Sequence, residues 1–117
     1  MEAALDTLLK TICPRTFPDV APAEVAEPYV VWQNIGGQSL RALNGDHCNE
    51  RNTYMQISVW SKRRLEALSL IRQIEDALVA SPSFQVARPD SEPMSLYEED
   101  TELYGSIQRF SIWSLRS

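Results

Sequence analysis

The residues that could do chemistry in this 117-residue chain fall into three short groups. The first is His47 beside Cys48, in Gly45-Asp46-His47-Cys48-Asn49. A histidine and a thiol can make a nucleophile and its base, or half of a metal site. His47 is the only histidine, and the second cysteine, Cys13, is far away in sequence. A zinc site needs four ligands at specific spacings, and this pattern does not provide them. Neighbours on a strand also point to opposite sides, so His47 and Cys48 would not easily share a target there. The pair reads as part of a solvated loop. The thiols of Cys13 and Cys48 read as free, since two distant cysteines form neither a disulfide framework nor a CxxC motif.

The second group is acidic: Glu98, Glu99, Asp100 and Glu102. Carboxylates bind hard cations, but calcium loops need fixed ligand spacing and a turn glycine, and both are missing. The third is basic: Lys62-Arg63-Arg64. Three bases can hold a phosphate, cover a solvated helix face, or meet acids on a neighbour. No glycine pattern of a phosphate loop accompanies them. The expected catalytic, cofactor and metal residues are therefore none. The candidate protein-interaction residues are Lys62, Arg63, Arg64, Glu98, Glu99, Asp100 and Glu102.

Charge supports that choice. The net charge is −5. Between Arg88 and Glu102 lie one base and six acids, while the rest of the chain carries ten of each. The whole charge thus sits in one segment. An acidic chain gains nothing from neutralising phosphates, which argues against generic nucleic-acid binding. No apolar run approaches the ~20 residues that span a bilayer. Met1-Glu2-Ala3-Ala4 lacks the basic and apolar parts of a signal peptide, so the chain reads as cytosolic.

The elements that must position these residues follow from periodicity. Leu5, Leu8, Leu9 and Ile12 form one stripe of a helix over 2–13, ended by Pro14. Four prolines, Pro14, Pro18, Pro22 and Pro28, mark 14–28 as an extended connector. Residues 29–35 read as a strand, broken by Gly36-Gly37. Residues 52–60 alternate cleanly and read as a second strand, paired with the first in a long-tipped hairpin. A short strand over 39–43 would fit inside that tip. Ser61 is a good N-cap for a helix over 62–80, with Ala67, Leu70, Ile71, Ile74, Ala77 and Leu78 inward. That placement puts the three bases in the first turn, against the helix dipole. Residues 84–87 could add a short strand. Residues 103–115 read as a long strand, apolar on both faces and therefore central, with Gly105 marking a bulge. Trp32, Trp60 and Trp113 each fall in a strand, where they suit core or interface.

A single α+β domain over 1–117 follows. Its antiparallel or mixed sheet has about four to five strands, with two helices packed on one face. The order of motifs resembles the small tail completion (tail-to-head joining) proteins of long-tailed bacteriophages and prophages. The resemblance runs from about residue 2 to 115. It rests on the N-terminal helix with its Pro-rich exit, on Pro28-Tyr29-Val30-Val31-Trp32, and on Tyr54 to Ser61. It rests further on the Ala67–Leu78 helix, on Leu96 to Tyr104, and on Gln108 to Trp113. It implies a non-enzymatic virion protein without cofactors. Such a protein caps the tail tube as a hexameric ring and joins the tail to the head connector. The implied partners are itself, the tail tube protein and connector proteins, with no sequence-specific nucleic acid and no membrane. The implied location is the host cytoplasm during assembly, then the virion neck. The tail terminators, of similar size and architecture, are an alternative. A metal-dependent enzyme using the acidic loop and a small acidic host adaptor are the rivals from other classes.

Overall fold

The computed structural model describes residues 1–38 and 50–115. His47, Cys48 and the possible strand over 39–43 lie outside the described residues. The chain forms α1 (Glu2–Ile12), β1 (Thr16–Pro18), β2 (Tyr29–Asn34), β3 (Glu50–Ser61), α2 (Arg64–Ala80), β4 (Val86–Pro89), β5 (Met94–Glu98) and β6 (Leu103–Leu115). It is an α+β fold with a mixed sheet of six strands rather than four or five. The order is β1-β2-β3-β6-β4, with β5 also on β6.

The two long strands form the spine. β3 and β6 pair antiparallel along their whole lengths, from Glu50↔Leu115 to Ser61↔Tyr104. β2 lies antiparallel on the other side of β3 as the expected hairpin. β6 is central, as its two apolar faces require, with β4 and β5 sharing its far edge.

Two strands escape the sequence patterns. β1 is only three residues long, inside the proline-rich connector, and runs parallel to β2. It is the parallel pair that makes the sheet mixed. β5 lies inside the acidic segment and has every residue exposed, so it carries no burial alternation.

Direct cross-strand partners face the same side of a sheet. Val30, Trp32, Met55, Ile57, Val59, Phe110 and Ile112 therefore share one face, and all are buried. Leu5 and Leu9 of α1 join Ala67, Ile71, Ile74 and Leu78 of α2 over that face, in one cluster. The helix stripes are as the spacing predicts. α1 stops before Pro14, and α2 stops at Ser81, ahead of Pro82. Trp32 is core: its indole N–H donates to Asp6 of α1 at 3.0 Å.

The opposite face is only partly covered: Leu103 at one end of it is buried, in a groove it shares with connector residues Ala21–Glu27. Val31, Tyr54, Trp60, Ile107 and Trp113 lie there half-buried. Gly105 sits opposite Trp60 in unbroken register, so it marks no bulge. A Cβ at Gly105 would stand 2.8 Å from the Trp60 ring. The glycine is needed for close approach: the indole lies where a side chain would be.

Candidate functional site

The candidate residues gather at one end of the sheet. Ser61 ends β3 opposite Tyr104, and Glu98 ends β5 opposite Leu103. The basic run leaves β3 at the end where the β5–β6 turn projects. Sequence spacing gives no hint of this juxtaposition, because α2, β4 and most of β5 lie between the two groups.

The basic corner differs from the expected geometry. α2 begins at Arg64 and its N-cap position is Arg63, with no side-chain cap. Ser61 is not the N-cap; it is the last residue of β3, fully buried. Lys62 and Arg63 therefore lie ahead of the helix, outside the first turn. Ser61 still serves the corner, because its Oγ accepts from the Arg63 N–H at 3.1 Å. Its hydroxyl donates in turn to Glu66. The Lys62 N–H donates to Glu27 Oε2 at 3.1 Å. Glu27 belongs to the connector, which Arg15 holds by donating to the Pro28 carbonyl at 2.9 Å. The backbone of the basic run is thus fixed from two sides, while all three cationic side chains remain exposed. Sequence reasoning missed Glu27 and Glu66. Their only signal was their charge, three residues or fewer from a basic run's flank or inside a proline-rich stretch.

The acidic side is a tight turn. Glu99, Asp100, Thr101 and Glu102 connect β5 to β6. Glu102 takes the left-handed conformation, φ 57°. Thr101 Oγ1 donates to Glu98 Oε1 at 2.9 Å. The rings of Tyr97 and Tyr104 meet with centroids 4.9 Å apart and brace the hairpin. Further back, the buried Gln108 amide donates to the Ser91 carbonyl at 2.9 Å and to Glu75 of α2 at 2.6 Å. The Asp90 N–H donates to the Arg109 carbonyl at 2.8 Å. These bonds lay the acidic segment along β6. Tyr29 of β2 registers the turn's charge. Burial, and after it the nearby Glu98 carboxylate, hold its phenol above the ordinary value.

Acids and bases share one end without pairing there. Among the described residues the ion pair is Lys10–Asp6, 2.8 Å apart on α1. Arg64 reaches only the Ser95 hydroxyl, at 3.5 Å. A groove of about 670 Å³ lies beside the two groups, lined by Ala21–Glu27, Tyr29, Lys62, Thr101 and Leu103. Among the described residues no three of His, Cys, Asp and Glu converge as metal ligands would. Chemically, the arrangement can make reciprocal ionic contacts with another surface.

Comparisons with known proteins bear on this geometry. A family profile described as Tail completion protein gp17 matches residues 1–115. A search of curated proteins found no match. Among solved structures, a chain of the virion of a native gene transfer agent particle superposes with a TM-score of 0.59 at 19% identity. The match covers 97% of this chain and 86% of that one. At that identity the likeness is one of fold.

Proposed function

The chain belongs to this tail completion family, whose role is structural and in the phage tail, and we propose that it closes the tail tube without doing chemistry. In this reading six copies form a ring on the end of the tube. The ring stops tube growth and offers its outer surface to the head connector. Assembly takes place in the bacterial host cytoplasm, and the finished ring lies in the virion neck.

The observation that carries the reading is the charge at one end of the protomer. Glu98, Glu99, Asp100 and Glu102 project on one hairpin, and Lys62, Arg63 and Arg64 on the adjacent corner, with no ion pair between the two sets among the described residues. A ring makes every contact heterologous, one patch against a different patch on the neighbour. Each protomer's acidic turn then meets the next protomer's basic corner. One solvated ion pair contributes only about 0–1 kcal/mol, so the set must act together and repeat around the ring. Ring stability should fall as salt rises, because exposed charges are screened.

Replacing Glu98, Glu99 and Asp100 by Gln, Gln and Asn tests this. The expected outcome is a folded protein, by circular dichroism, that no longer caps tubes in electron micrographs. Intact rings with slowed DNA release would instead put the acids on the channel wall. Intact rings with normal release would remove the turn from the function.

A further inference from the structure

We propose that the free edge of β5 accepts an extended basic segment of another protein as an added strand. This deepens the proposed function and rests on it for its setting, since it names the chemistry of one partner at the neck.

β5 pairs with β6 alone among the described strands. An antiparallel edge strand turns alternate backbone N–H and C=O groups outward, where they can template another strand. Natural sheets blunt such edges with lysines, an internal proline or a bulge. β5 is five residues long and ends on the charged Glu98, but it has no lysine, no internal proline and no bulge. Pro93 merely fixes where the strand begins. Met94 is 57% exposed, Leu96 42% and Tyr97 51%. Met94 and Leu96 stand opposite Ile107 and Gly105, on the face of the sheet turned away from the two helices. Alternate side chains of an added strand would find apolar contact there.

Charge decides the occupant. Asp90 and Glu92 precede β5; Glu98, Glu99, Asp100 and Glu102 end or follow it. Two copies of β5 paired antiparallel about Leu96 would set Glu92 against Asp100 and Asp90 against Glu102. Like charges placed opposite one another destabilise a ladder. The edge is therefore closed to its own copy and open to a strand flanked by lysine or arginine, which is specificity through a repulsive element. The chain's own basic run does not qualify, because it turns a corner into α2 rather than extending.

The test uses the full chain, isotope-labelled, and two synthetic peptides. Both share a valine-threonine centre; one has lysines at its ends, the other glutamates. The lysine peptide should slow amide exchange across Met94–Glu98 by about tenfold or more at saturation. Its affinity should fall about tenfold between about 50 and about 500 mM salt. The glutamate peptide should leave β5 unchanged. Leu96→Lys, which puts a cation on the edge, should abolish the protection with the circular dichroism spectrum retained. Glu92→Gln with Glu98→Gln should weaken it several-fold. Unchanged β5 exchange with the lysine peptide overturns the proposal. So does equal protection by both peptides, or protection that grows with protein concentration alone. Tube capping is scored on the same variants, so loss of the strand site and loss of the ring are read separately.

Discussion

At the scale of single residues, close approach and titration give the sharpest expectations. Gly105→Ala places a methyl against the Trp60 ring. Overpacking of that kind should destabilise by about 1–3 kcal/mol, read by chemical denaturation. Trp60→Leu in the same chain should recover part of the loss; a neutral Gly105→Ala would mean the ring moves freely. Asp6 makes a pH prediction. Its hydrogen bond with Lys10, opposed by burial and aided by Trp32, holds the carboxyl below its ordinary 3.8. A depressed carboxyl contributes stability that is present above the unfolded value and is lost as pH falls through the folded one. Asp6→Asn should therefore narrow the gap in stability between about pH 7 and about pH 3. Tyr29 reports on the turn directly: in Glu98→Gln its phenol should titrate closer to 10.0, followed by its ring resonances in NMR. No movement would place the Glu98 charge elsewhere. Residue types alone misread two of these local roles. Ser61 has the chemistry of an N-cap but ends a strand, because the β3–β6 ladder extends through it. Gly105 suggests a bulge but clears space for an indole, a contact that only the cross-strand register creates.

At the scale of elements, periodicity was a reliable guide wherever an element buries one face. α1, β2, β3, α2 and β6 all stand within a few residues of their expected limits, because each must turn an apolar stripe toward the same core. Ile71 tests the orientation of α2. It is fully buried, and Ile71→Ala should cost about 2–5 kcal/mol. Leu65, on the same helix but 71% exposed, should cost under about 0.5 kcal/mol as alanine. Equal losses at both positions would rotate the helix. β1 and β5 were not legible for the converse reason. β1 is held by parallel pairing within a proline-rich stretch, and β5 by pairing to β6 without burying a face. A strand defined by its ladder rather than its core leaves no alternation to read. The same property makes the β5 edge available.

At the scale of the whole molecule, the charge count singles out one segment but not its neighbour. Residues 88–102 stand out in sequence as the bearer of the net charge. That they end beside Lys62, Arg63 and Arg64 follows from the β3–β6 register, which no local pattern encodes. The central claim is that acidic turn meets basic corner across each contact of a ring. A charge exchange tests it most directly. One variant carries Glu98→Lys, Glu99→Lys and Asp100→Lys; the other carries Lys62→Glu, Arg63→Glu and Arg64→Glu. Each alone sets like charges against one another at every contact. Mixed in equal amounts they can alternate around a ring with an even number of positions, restoring opposite charges throughout. The measurement is tail-tube length by electron microscopy with each variant and with the mixture. Either variant alone should give overlong, uncapped tubes, and the mixture normal, capped ones. Capping by either variant alone, or its absence from the mixture of two folded proteins, would contradict the central claim.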